Sequence, residues 1–490
     1  MDVSSLFANQ NSVQYLVDQF MFFEQEPRNR LLDKKDSVNS RIQILSDLDS
    51  KLSALQKRTT RMTDEFTNYF AAKKSSTTNE DLLKTTATSD AALGNHTLTV
   101  DRISASDNRV SDQFTNTNSD FTSYITDQTF TIEVAHPTDD DADNRVDISV
   151  TVAASAFSGD NESVLNAVKN AINGAMDQAV ADETITNEEK ILASTVSEEA
   201  GVSRLSVTSA SSGYTYRMDF GASTLLDDLN INNNAQTSGT TGGYILDPGS
   251  SASTSLLNSK FELDGLTYYR DSSTVTDALD GVTLKLLNTF TAAETVTVNT
   301  DTEKVKEEIN EFIKAYNESI GYLREQTQYS SDTKSRGALS GDLTYRNISI
   351  DLRNIAQGAV EGTTFTDYDL LYDIGIEANQ QGKLSIIDDD KLTTAIETNT
   401  EYVSDIFTGT DGIATKIDEY VEKFVKTGGT ISDSKKTLND EITSLNDRLD
   451  LVESFLDSKE KQLFEEFSKL QETMATLQNQ QSYLSLFISG

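Results

Sequence analysis

The side chains able to do chemistry are few and poorly grouped. The only histidines are His96 and His136, and neither stands at the spacing of a metal ligand set or a catalytic base. Cysteine is absent, which removes thiolate nucleophiles, disulfides and cysteine-bound zinc together. No glycine-rich loop runs into the Gly-Lys-Ser/Thr that cradles a phosphate, and no serine sits in a nucleophile elbow. Asp139, Asp140, Asp141 and Asp143 have calcium-like spacing, but the loop glycine and the closing glutamate are missing, so a solvated acidic turn is favoured over a calcium site. These residues imply no reaction, no cofactor and no metal; the expectation is a protein that is not an enzyme.

With chemistry so thin, the elements themselves become the subject. The 490 residues have room for three or four domains. The 41 basic residues face 79 acidic ones, a formal charge of -38. That balance excludes nucleic acid, whose phosphates must be met by Lys and Arg, and argues equally against anionic membranes. No apolar run is long enough for membrane insertion. Met1 to Gln10 has neither the basic region nor the apolar run of a cleaved signal peptide, so a secreted protein of this sequence is expected to leave the cell by another route.

The organising stretch is the C-terminal one. Leu438, Ile442, Leu445, Leu449, Val452 and Leu456 recur in steps of four and three, an apolar seam of the coiled-coil kind. Glu460 interrupts it with two successive steps of four, after which Leu463, Phe467, Leu470, Met474 and Leu477 resume the pattern. A second seam, Val38, Ile42, Leu45, Leu48, Leu52, Leu55, Met62 and Phe66, lies near the N-terminus, with Pro27 placed to open its helix. Two amphipathic ends around a different middle predict paired ends with an inserted excursion, although each helix packing separately on a globular core stays open. A short first helix carries Val13, Leu16, Val17, Phe20 and Phe23, with Asn11 and Gln14 as its capping box. Its apolar residues exceed one stripe, so they dock on the C-terminal helix or await a partner subunit.

From Lys73 the composition turns to Ser, Thr and Asn, and short alternating runs replace the helical period. One helix, Glu162 to Ala181, lies among strand-like Val146 to Val152 and Leu205 to Ser209, a small α+β module. Asn232 to Gly243 reads as a flexible loop or linker. Strands return from Phe261, with Asp264-Gly265 as a hairpin turn, and helical periodicity resumes at Asp301. The predicted fold class is α+β multidomain, with long N- and C-terminal coiled-coil-like helices and β-rich domains inserted between them.

Several stretches carry a resemblance. Tyr15-Leu-Val-Asp-Gln-Phe-Met, Glu24-Gln-Glu-Pro-Arg-Asn-Arg-Leu, Leu48 to Leu55 (LDSKLSAL) and His96-Thr-Leu-Thr-Val occur in the N-terminal part. Phe261-Glu-Leu-Asp-Gly-Leu, Phe312-Ile-Lys-Ala-Tyr-Asn, Gly337-Ala-Leu-Ser-Gly-Asp and Val403 to Lys416 (VSDIFTGTDGIATK) occur in the C-terminal part. Together they resemble the flagellar hook-associated protein 2 (FliD) family of filament cap proteins.

The resemblance implies a leg carrying heads. Residues 1–85 form N-terminal leg helices, 86–112 and 256–300 the two parts of an inner β head, and 113–255 an outer α+β head. Residues 301–429 form a helical leg domain and 430–490 the C-terminal coiled-coil helix. It further implies a homo-oligomeric ring at the flagellum tip that promotes insertion of exported flagellin, next to neighbouring hook-associated proteins. Delivery would be by the flagellar type III export apparatus with an export chaperone. The seam residues Leu16, Phe20, Phe23, Leu445, Leu449, Val452, Leu456, Leu463, Phe467, Leu470, Met474 and Leu477 are then expected subunit or partner contacts. The alternative is an oligomeric extracellular adhesin whose heads bind host or surface glycans.

Overall fold

The computed structural model describes residues 10–64, 68–139, 142–330, 335–361 and 369–488. Among them are nine α-helices: α1 (Gln10–Glu24), α2 (Glu26–Thr63), α3 (Asn161–Ala181), α4 (Thr224–Leu229), α5 (Thr302–Thr327), α6 (Leu343–Gln357), α7 (Asp389–Thr408), α8 (Ile413–Val425) and α9 (Thr430–Ile488). The chain divides into two compact units. One comprises 1–70 and 302–490, the other 71–301.

The second unit is β-rich. Its strands are β1 (Lys73–Thr77), β2 (Leu83–Ala87), β3 (Gly94–Arg102), β4 (Ser106–Val110), β5 (Phe114–Thr115), β6 (Gln128–Ala135), β7 (Arg145–Val152) and β8 (Ile191–Glu199). There follow β9 (Val202–Ser212), β10 (Asp219–Phe220), β11 (Gly243–Tyr244), β12 (Ser259–Leu263), β13 (Leu266–Arg270), β14 (Thr274–Leu279), β15 (Val282–Leu286) and β16 (Phe290–Thr300). An antiparallel sheet of order β1-β16-β3-β12-β13 and a smaller one of order β14-β15-β2 enclose an inner core of Leu98, Val100, Phe261, Leu284 and Val298. The turn between β12 and β13 needs two left-handed residues, and Asp264 and Gly265 supply φ of 51° and 83°.

The rest of the unit is an α+β module. Sheets of order β11-β4-β9-β5, with β8 also on β9, and β10-β6-β7 are joined by α3. Alternation in β6 and β7 sends Phe130, Ile132, Val134, Ile148, Val150 and Val152 inward. They meet the apolar stripe of α3, Leu165, Val168, Ile172 and Met176, and Asp160 caps that helix by accepting from the Ser163 amide at 3.0 Å.

Three expectations are corrected. Residues 73–85, drawn into the N-terminal leg although the alternating runs begin at Lys73, belong to the β-rich unit as β1 and most of β2; β1 takes its register from β16. Residues 106–110, assigned to the inner β part, are a strand of the outer module paired with β9. Ala105 donates to the Leu257 carbonyl at 2.8 Å, so the outer module is pinched off at 105 and 257 rather than at 113 and 255. Asn232 to Gly243 is not a free linker: Arg109 donates to the Asn232 carbonyl at 3.2 Å and Gly242 to Asp112 at 2.6 Å.

In the helical unit α2 and α5 pack together through Leu45, Leu48, Leu52, Ile309, Phe312, Tyr316 and neighbouring buried residues, with α6, α7 and α8 completing one core. Two small hairpins accompany them, β17 (Tyr329–Ser330) with β18 (Ser335–Arg336) and β19 (Ile376–Ala378) with β20 (Leu384–Ile386). Lys51 donates to Glu318 at 2.8 Å, a bond that holds the Glu318 carboxyl below its usual range. The helix α7 is kinked where Asn399 leaves helical geometry.

Two predictions follow from this architecture. Excising 105–257 and joining Ser104 to Asn258 should leave the rest folded with cooperative melting by circular dichroism. Excising 113–255 should fail to give a cooperative transition, because β4 keeps Asp107 and Arg109 after losing β9. The second prediction concerns acid. His96 Nδ1 lies 2.7 Å from Asp264, and this bond, with the Thr97 amide at 2.8 Å, lowers the Asp264 carboxyl pKa. A lowered native pKa means that the contribution is full above the unfolded carboxylate value of about 4 and is lost as pH falls through the native value. Asp264→Asn keeps the left-handed turn, so it should flatten the acid limb of the stability curve. An unchanged limb would rule the turn carboxylate out as a source of it.

Candidate assembly surface

Bare heptad logic explains why α9 is a single 59-residue helix: no Gly or Pro occurs inside it, and one apolar stripe recurs along it. It runs antiparallel to α2. Arg28 pairs with Glu453 at 3.2 Å, Lys34 with Glu441 at 2.9 Å and Lys435 with Asp49 at 3.7 Å, a falling α9 number for each rising α2 number. These ion pairs are exposed or half-exposed and fix register more than they stabilise. Pro27 sits in the first turn of α2, where its missing amide costs no hydrogen bond. Backbone bonds from Gln25 to Met21 and from Asn29 to Gln25 carry the chain from α1 into α2 without opening it.

The structure divides the expected seam. Leu445, Leu449, Leu456 and Leu463 are buried within the chain itself. The last two join Val13, Val17 and Met21 of α1 in a small apolar cluster, with Val452 and Phe467 half-buried against it. Glu460 is exposed, as the interrupted pattern expects. Leu470 and Leu477 are 44% and 54% exposed, and Met474 is half-buried.

On α1 one stripe docks and the other stays open. The docked stripe is Val13, Val17 and Met21, whereas Leu16 is only half-buried and Phe20 and Phe23 are 53% and 72% exposed. The Phe20 ring still lies 5.5 Å from that of Phe467, and Phe23 meets Phe22 edge-on at 5.6 Å. Val13, Val17 and Met21 follow one another in steps of four, which puts them on one face of the helix. Exposed Tyr15, Phe22, Leu451, Phe455 and Phe464 extend the apolar surface and went unpredicted; Leu451 and Phe455 stand one turn apart outside the heptad. The side chains of residues 10–12, and with them the Asn11 cap, lie outside the described residues, as does Phe66.

Nothing at these helices resembles a reaction centre. In the β-rich unit, Asp139 accepts from Asn144 at 2.6 Å and Asp143 pairs with Arg217 at 3.3 Å, while Asp140 and Asp141 are outside the described residues. Among the described residues no cluster of three or more His, Asp or Glu could hold a metal ion, and no helix is long and apolar enough to cross a membrane.

Comparison with known proteins accounts for the architecture. Residues 10–107 match the family described as Flagellar hook-associated protein 2 N-terminus, and 257–479 match Flagellar hook-associated protein 2 C-terminus, about two thirds of the chain together. The chain belongs to the flagellar hook-associated protein 2 family. The family is that of the flagellar filament cap, a structural protein, and the function is that of a cap protein. The A-type flagellar hook-associated protein 2 of Pseudomonas aeruginosa is 26% identical over 438 residues, covering 86% of this chain and 83% of that protein. Flagellar hook-associated protein 2 of Salmonella typhimurium is 35% identical over 188 residues, covering 36% of this chain and 39% of its own length.

The fold agrees. The crystal structure of the D1-D2-D3 domains of the flagellar cap protein FliD from Escherichia coli superposes with a TM-score of 0.57 at 24% identity, covering 81% of this chain and all but 1% of that one. The adhesin alternative gains no support from these relatives. The two family matches stop at 107 and resume at 257, within three residues of the pinch between Ala105 and Leu257 that bounds the outer module.

Burial separates two neighbouring leucines. Leu463→Asp should cost about 2 to 4 kcal/mol by undocking α1, while Leu470→Asp should change monomer stability by no more than about 0.5 kcal/mol. Denaturant melts at micromolar concentration compare them directly, and equal losses would contradict the division of the seam.

Proposed function

We propose that this protein assembles as a ring at the distal tip of the flagellar filament and promotes insertion of exported flagellin beneath it. The observation carrying this reading is the apolar surface left on α1 and α9 after their mutual packing: Tyr15, Phe20, Phe22, Phe23, Leu451, Phe455, Leu470 and Leu477 are all exposed in a chain of charge -38. A surface so acidic elsewhere and so apolar here marks a place where other chains pack. Leu16, Phe20, Phe23, Leu470, Met474 and Leu477 are the contacts offered to neighbouring subunits or to flagellin. Leu445, Leu449, Val452, Leu456, Leu463 and Phe467 support them by holding α1 and α9 in place.

The partners follow from the family position: further copies of this chain, flagellin, and neighbouring hook-associated proteins. Passage out of the cell is by the flagellar type III route with an export chaperone, the route that the family position implies. Subunits of like charge repel one another, and salt screens that repulsion to about 8 Å at 0.15 M. Light scattering of the wild type should therefore show a larger assembly as salt rises, and Leu470→Asp with Leu477→Asp should keep the protein monomeric and fail to restore motility to a cap-deficient strain. Dissociation on adding salt, or an intact ring in the double variant, would refute the apolar seam as the subunit contact.

A further inference from the structure

Two asparagines from unrelated parts of the chain make the same unusual pair of bonds. Asn173, in the middle of α3, donates from Nδ2 to the Ala193 carbonyl at 2.9 Å, and the Ala193 amide donates back to its Oδ1 at 2.8 Å. Asn317, in the middle of α5, donates to the Leu384 carbonyl at 2.7 Å and accepts from the Leu384 amide at 2.7 Å. Ala193 belongs to β8 and Leu384 to β20, which among the described residues pair with β9 and with β19 and no other strand. Each residue therefore turns its peptide groups away from its sheet, at an open edge.

A primary amide carries one N–H side and one C=O side, the same pair that a residue of a neighbouring strand would present. Asparagine is a poor residue for a helix interior, so propensity does not explain either position. On α3 the neighbouring Asn166 works at the same edge, accepting from Thr195 Oγ1 at 3.1 Å. Unpaired strand edges are templates for pairing with other chains.

We infer that Asn173 and Asn317 are edge locks, side-chain stand-ins for one strand residue that keep the open edges at β8 and β20 from pairing with a strand of a second copy of this chain. A protein that functions packed among its own copies at high local concentration is where such a lock has consequence, and this clause rests on the proposed ring. The locks themselves do not require it, and their test starts from dilute monomer.

The test uses full-length Asn173→Ala and Asn317→Ala, amide hydrogen exchange, and infrared detection of intermolecular sheet across a concentration series. The expected result is exchange faster on the order of tenfold at Ala193 or Leu384 in the respective variant, with β6 and β7 or α2 unchanged, and intermolecular sheet that grows with concentration. Unchanged protection at both amides would overturn the inference, as would a uniform loss of protection without sheet association, which describes ordinary destabilisation. If Asn173→Ala does not fold, Asn317→Ala decides alone, since it lies in a different core.

Discussion

The antiparallel closure of α2 against α9 is the constraint on which the helical unit depends. The two helices lie about 400 residues apart in sequence, as the pairing of Arg28 with Glu453 shows, so closing them asks for a large loop. Closing it is feasible because its entropic cost grows only logarithmically with length, because residues 71–301 fold into cores of their own, and because α5 to α8 pack into one core with α2. The same closure orders the ends: once α9 is set on α2, Leu456 and Leu463 are in place to receive α1. The heptad beyond Leu463 then runs on with its leucines exposed, so the proposed assembly surface is continuous with the one that serves folding.

Charge is handled differently in the β-rich unit. Arg109 is fully buried, bonded to Asp107 at 3.1 Å and to backbone carbonyls of the Met218 and Asn232 segments. Arg217 donates to the carbonyls of Tyr214 and Ala142 and pairs with Asp143. Arg145 donates to carbonyls of Thr215 and Glu133, and burial beside Arg217 pushes its pKa down to about 10. These arginines replace a strand ladder for irregular segments, each fork satisfying several carbonyls at once. Spending scarce cations inside leaves carboxylates to dominate the outside.

Much of this was legible in the sequence, for reasons that particular residues make plain. The α9 seam, the α2 seam and α3 announce themselves because a single stripe repeats over many turns, and Asp264-Gly265 because few dipeptides accept that turn. The strand Ser106 to Val110 was assigned to the wrong part because it buries Asp107 and Arg109, a polar pair that reads as surface until its partner is known. The strand-like runs from Lys73 were legible, but the leg boundary was drawn at 85 because Ser and Thr strands take their partners from tertiary pairing rather than from local pattern. On α1 the sequence showed more apolar residues than one stripe holds but not which of them would dock: the subunit alone provides room only for the valines and Met21, and Phe20 and Phe23 stay exposed.

Because Ala105 and Leu257 are joined by one backbone bond, the outer module enters and leaves its host at a single point. A recombination event that exchanged the whole segment between two relatives would preserve every hydrogen bond between β3 and β12, whatever fold arrived in its place. Apart from Ser212, Tyr214 and Thr215, which bond to Asp271 and Asn258 of the inner part, the module can diverge in sequence, size or surface on a timescale separate from the rest of the chain. Selection for a new surface acts there without altering the core of the helical unit.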